Sequence, residues 1–147
     1  MNRPYFDEKQ LIDRGKAFQS GFITAMITII LVFLATDTLG VSLSRYTTFL
    51  ICLWTPLGEC MVALILKDAY DSVNGAPGRV IMTVFVATGL LLLALTAAHL
   101  MGGQETLLEA GVLTDTAGHL FTGICMTVVG VVYWVRQHQI KRQFGQP

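Results

Sequence analysis

Charge is scarce in this 147-residue chain: ten Lys and Arg and ten Asp and Glu make up 14% of it, against about 25% in an ordinary soluble domain. So little charge beside so much apolar surface excludes both a disordered chain and a soluble globule. The two signs cancel, so the basic excess that grips a phosphate backbone is missing, and nucleic acid is not expected as a direct ligand. Cysteine is rare too. Cys52, Cys60 and Cys125 form no CxxC pair, which leaves redox catalysis without footing and makes them packing residues. GxSxG, the P-loop, the dinucleotide fingerprint and HExxH are all missing. No enzymatic activity and no cofactor are therefore expected.

What the chain has is apolar length. Hydrophobic residues make up 53% of it, mean hydropathy is +0.59, and the apolar residues fall into four windows: 17–36, 46–66, 80–101 and 116–135. Each approaches or exceeds the roughly 20 residues that a helix needs to cross about 30 Å of hydrocarbon. The first is read as a retained helix and not as a cleaved leader, because Asp7, Glu8 and Asp13 stand where a basic segment is expected and its end lacks paired small residues. Lys and Arg collect in cytoplasmic loops. Arg3, Lys9, Arg14, Lys16, Lys67, Arg79, Arg136, Lys141 and Arg142 fall on one side of the windows and Arg45 alone on the other. Short connections join the windows, with turn signals at Asn74-Gly75 and Pro77-Gly78. The expectation is an all-α fold of one domain over residues 1–147: an integral, antiparallel bundle of four transmembrane helices in a cell inner membrane, both termini cytoplasmic. Residues 1–16 form a cytoplasmic helical extension, which Pro4 suits as a start, and residues 136–147 a basic cytoplasmic tail. Leu107, Leu108, Val112 and Leu113 in the long outer loop read either as a short interfacial helix or as ordinary loop.

In lipid, helices associate through close contact and hydrogen bonds, so small residues mark packing faces. Ala17, Gly21, Ala25 and Thr28 supply one, Thr83, Ala87, Ala94 and Ala98 a second, and His119, Gly123, Thr127 and Gly130 a third. With so little interior of its own, a bundle this small is expected to form a homo-oligomer in the lipid bilayer.

The sharpest chemical feature is Glu59, within Leu-Trp-Thr-Pro-Leu-Gly-Glu-Cys. A charged acid at that depth costs about 2.5 to 3.5 kcal/mol, so it should face the bundle. Helical spacing puts Thr48, Cys52, Thr55 and Ala63 on its side. Depth matching brings Thr24, Thr28, Thr88 and Thr127 near it but no cation, so the carboxyl is expected to be protonated. Pro56 removes an amide hydrogen one turn earlier and frees the Cys52 carbonyl, and Trp54 stands near enough to line a route. Two readings stand: a repaired proline kink with a structurally hydrogen-bonded acid, or a proton- or cation-exchanging substrate site.

His99 and His119, with Asp115 and Asp37 at the same outer surface, have donor types that suit a divalent metal. They lack HxxxH or ExxH spacing, and the alternative is interfacial histidines bonded to water or backbone. At the other surface Asp7, Glu8, Lys9, Leu11, Ile12 and Arg14 lie on a helical segment that reads either as a solvated turn or two or as a docking surface for a cytoplasmic protein.

The segment Phe-Asp-Glu-Lys-Gln-Leu-Ile-Asp-Arg-Gly-Lys-Ala-Phe resembles the opening of uncharacterised small bacterial four-helix inner-membrane proteins that begin with Asp-Glu-x-Gln. The likeness covers about 15 residues and the hydropathy profile. It implies an inner-membrane location and, since such proteins are sometimes encoded beside helix-turn-helix regulators, a cytoplasmic partner. Small multidrug exporters share the helix count, but their membrane acid belongs to the first helix, which has none here. Two functions follow from these residues: a non-enzymatic, oligomeric membrane interaction or regulatory module, or a small transporter built on Glu59.

Overall fold

A computed structural model describes residues 6–71, 78–103 and 105–144. Pro4, Arg3, the turn signals at Asn74, Gly75 and Pro77, and the last three residues of the tail lie outside the described residues. The four expected helices are present, in a packed bundle. Helix α1 spans Glu8–Asp37, α2 Arg45–Leu66, α3 Gly78–Met101 and α4 Asp115–Phe144, and each carries an apolar stretch long enough to cross a membrane.

Local chemistry sets the ends. Asp7 caps α1 through a capping box: its Oδ1 accepts from the Gln10 N–H at 2.6 Å and the Gln10 Oε1 accepts from the Asp7 N–H at 3.3 Å. Two orphan donors are thus satisfied reciprocally. Ser44 caps α2 by accepting from the Thr47 N–H at 3.0 Å. Helix α2 runs without interruption through Pro56 and stops in a Schellman turn, where the Ala69 N–H donates to the Leu64 carbonyl at 2.9 Å and the Asp68 N–H to Ile65 at 3.1 Å. Such a turn needs a left-handed residue, usually glycine. Here it is Asp68, at φ 54°.

One departure from the all-α expectation lies in the connection between α3 and α4, which holds neither the interfacial helix nor an irregular loop. Strands β1 (Ser42–Leu43), β2 (Leu108–Glu109) and β3 (Val112–Leu113) make a small sheet in the order β1-β3-β2. Ser42 and Leu43 pair in parallel with Val112 and Leu113, and β2 pairs antiparallel with β3. The two-residue β2 to β3 turn places both Ala110 and Gly111 at positive φ, 50° and 82°, the backbone that matches strand twist in a tight hairpin. Ala is a poor signal for it. That is why the sequence concealed the hairpin.

The core is divided. Ala17, Cys60, Leu64 and Ala69 join α1 to α2, whereas Ile65, Met82, Val129 and Tyr133 join α2, α3 and α4. Helix α2 is therefore packed by α1 and by α4, and α3 lies on α4. Glycines set the closest approaches. A Cβ added to Gly21 would lie 3.0 Å from the Cys60 Cβ, and one added to Gly89 would lie 2.5 Å from the Thr127 hydroxyl and 2.9 Å from its amide nitrogen. The expected small faces of α1 and α4 hold at Ala17, Gly21, Thr28, Gly123 and Gly130, all buried. The expected face of α3 does not: Thr83, Ala87, Ala94 and Ala98 are exposed, and Met82, Gly89 and Thr96, seven residues apart, are buried instead. Glycine without a Cβ admits a neighbouring backbone that alanine holds off.

Candidate functional site

Glu59 lies on the α1 side of α2. Its Oε1 accepts from the Ser20 hydroxyl at 2.7 Å, and its Oε2 is buried without a hydrogen-bond partner among the described residues. Ser20 was not among the expected partners. Depth matching from the window ends set Thr24 opposite Glu59, but window ends mark where charge begins and not where helices pack, and the register differs by one turn. Ser20, Gly21 and Ala17 form the α1 side of this seam. Thr28 is buried farther along α1 and Thr24 is half-buried.

The other candidates for that site separate. Cys52 and Thr55 are half-buried on α2, seven and four residues from Glu59 and so on its side at helical spacing. Trp54, five residues away, lies about 140° round the helix and meets Phe85 of α3 edge-on at 6.2 Å, so it does not line a route past Glu59. Thr127 donates to the Gly123 carbonyl at 2.8 Å in the seam with Gly89. It belongs with α3, as does the half-buried Thr88 on that helix. The described cavities lie at the two ends of the bundle, and Glu59 lines none of them.

His99, His119, Asp115 and Asp37 do not assemble into a metal centre; among the described residues no group of three His, Cys, Asp or Glu could hold an ion. His99 faces Glu105 with Nδ1 3.5 Å from Oε1. The His119 ring lies 5.1 Å from that of Tyr46. Asp115 accepts from the Ser44 hydroxyl at 2.5 Å, and Asp37 is exposed at the last residue of α1. Each finds a nearer partner or solvent in place of the others. Glu105 also accepts from Thr116 at 2.6 Å. That hydrogen bond, opposed by desolvation and helped by His99, holds the Glu105 carboxyl below its ordinary range.

The densest polar constellation is one that the sequence did not announce. At the end of α2, residues 68–71 are held from both sides. From α1, the Gln10 amide donates to the Asp68 carbonyl at 2.9 Å and to the Asp71 carbonyl at 3.3 Å, and Arg14 donates to Ala69 at 3.0 Å. From α4, Arg136 grips Asp68 with two hydrogen bonds of 2.9 and 2.7 Å. Tyr133 and Gln137 both donate to Asp71 Oδ2, at 3.0 and 3.3 Å. The Tyr70 and Tyr133 rings meet edge-on at 5.9 Å. Burial first, and then the Asp71 charge, push the Tyr70 hydroxyl above its ordinary pKa. A cavity of about 220 Å³ opens here, floored by Ile65 and Ile140.

The expected partner-binding residues divide accordingly. Asp7 is spent on the cap and Arg14 turns inward, its guanidinium 4.2 Å from the Phe6 ring centre, whereas Glu8, Lys9, Leu11 and Ile12 remain exposed. No family model, curated protein or solved structure matches the chain.

Proposed function

We propose that the protein is a non-enzymatic multi-pass module of a cell inner membrane, homo-oligomeric, whose cytoplasmic end engages a protein partner. The fold in the membrane would be an antiparallel bundle with both termini inside. Supporting this order, Gln10 near the start of α1, Asp68 just past the end of α2 and Arg136 late in α4 meet at one end, while Ser44 before α2 meets Asp115 at the start of α4 at the other. The Lys and Arg bias then assigns the first end to the cytoplasm. The resemblance to small bacterial inner-membrane proteins points to the same location.

The observation that carries the partner reading is the way the α1 extension is held. Gln10 and Arg14 fix it to the turn after α2, and Leu11 and Ile12, at 56% and 59% exposure, stand outward on a helix that has already lost its freedom. An apolar pair on such a support binds without a further ordering cost. Photo-crosslinking from position 12 in intact cells should give a discrete protein adduct, and adding Leu11→Asp should abolish that adduct without unfolding the bundle. Crosslinks to lipid alone would overturn the reading.

A second reading rests on Glu59 Oε2, buried without a partner among the described residues. In it Glu59 exchanges a proton for a cation, next to the carbonyl that Pro56 leaves free at Cys52. Proton flux in proteoliposomes across a panel of cations separates the two. Flux that Glu59→Gln abolishes would make transport the function. Equal behaviour of folded wild type and variant would leave Glu59 as a tie between α1 and α2.

A further inference from the structure

Helix α4 runs nine residues past the end of its apolar window, to Phe144, and its rotation there is fixed. Tyr133, Arg136 and Gln137 point at residues 68–71 and hold that face inward. With that face fixed, 3.6 residues per turn dictate what faces away. Ile124, Val128, Val131 and Val135 form an exposed line at spacings of four and three. The same line continues into His138 and Arg142, with Trp134 and Lys141 beside it, all exposed. One helix face therefore passes from aliphatic to aromatic to basic along its length, and no acid lies in the extension between Arg136 and Arg142.

We propose that this face is a binding surface for anionic phospholipid headgroups. The inference rests on the membrane reading above. The aliphatic line meets acyl chains, Trp134 lies at the boundary where amphipathic rings collect, and Lys141 and Arg142 stand over the phosphates next to the chains that Val131 and Val135 touch. Arg136 takes no part, because its charge is matched by Asp68. The continuity of the lipid-facing line is what selects lipid over an acidic soluble protein: such a protein would have to reach the cations against the bilayer surface. A basic side chain near an anionic leaflet is worth about fivefold in local lipid concentration, so the pair should enrich anionic lipid by about tenfold or more.

The test uses the full chain with Trp54→Phe, which leaves Trp134 as the single tryptophan, in vesicles of phosphatidylcholine containing a fixed small fraction of brominated lipid. Brominated phosphatidylglycerol should quench Trp134 several-fold more strongly than brominated phosphatidylcholine at the same fraction. The excess should vanish in Lys141→Gln with Arg142→Gln and diminish in high salt. Equal quenching by the two lipids would overturn the headgroup surface while leaving the bundle in the membrane, and would give the cations to an acidic soluble partner. Quenching by neither lipid in folded protein would overturn this proposal together with the membrane reading.

Discussion

The two ends of the bundle are closed by different chemistry. At the Asp68 end, side chains from α1 and α4 converge on four residues, and Met82, Ile65 and Tyr133 are buried behind them at no more than 3% exposure. At the sheet end backbone pairing takes a larger share: two-residue strands pair beside short side-chain hydrogen bonds from Ser44, Thr47 and Thr116, while Leu108 is 60% exposed and Val112 36%. A closure made of side chains depends on which residues are present. A closure made of backbone depends on the turn geometry and tolerates substitution. The first can specify the mutual register of three helices; the second joins two connections and, through Ser44, Thr47 and Gly118, the facing ends of α2 and α4.

The largest effect that would sharpen this contrast is expected at Met82, which is fully buried. Met82→Ala leaves a cavity and should cost about 2–4 kcal/mol, whereas Val112→Ala in the sheet should stay within about 0.5 kcal/mol. Reversible unfolding in a mild detergent measures both, and equal losses would break the comparison. Next is Tyr133→Phe. It removes the hydroxyl from Asp71 Oδ2, whose Oδ1 already lacks a partner among the described residues, so a loss of about 1–2 kcal/mol is expected.

Arg136→Gln should do less. The pair is two-pronged, but Arg136 and Asp68 are 27% and 49% exposed, and solvent reduces such a contribution to about 0.5–1 kcal/mol. Asp68→Gly separates the charge from the backbone. It loses the same pair but relieves a left-handed residue, so it should unfold less readily than Asp68→Ala, which loses the pair and keeps the strain. If both variants behave alike, the φ of Asp68 carries no cost.

The four helices were legible because their signal is an average: a misjudged residue or two does not change a window of twenty. The same averaging hid the register, since Ser20 and Thr24 look alike as partners for Glu59 until packing at Gly21 and Cys60 decides between them. The face of α3 was misread for a related reason. Alanines and a threonine at helical spacing look like a close-packed seam, yet the seam formed where Gly89 stands opposite Thr127. The constellation around residues 68–71 left almost no trace. Gln10, Asp68, Asp71, Tyr133, Arg136 and Gln137 fall in separate stretches of the sequence and are individually ordinary near helix ends, and only the fold makes neighbours of them.

The smallest expected effect is also the one that pH can isolate at the sheet end. Glu105 has its carboxyl pKa lowered, chiefly by the Thr116 hydrogen bond and to a lesser degree by His99. A carboxyl whose folded value lies below its unfolded one stabilises the fold fully above the ordinary carboxylate range, and the contribution is lost as pH falls through the lower folded value. Acidification should therefore loosen the start of α4 and β3 by a small amount while the fold as a whole persists. Hydrogen exchange is expected to quicken first at Thr114 and Ala117, whose amides donate to Leu107 and Thr114, after correction for the intrinsic pH dependence, and Glu105→Gln should remove that pH dependence. Because Glu105 is exposed at this end, salt and solvent hold the effect well below that of Tyr133→Phe. If acid instead released Tyr133 and Gln137 before the sheet, the side-chain closure would be the weaker of the two ends.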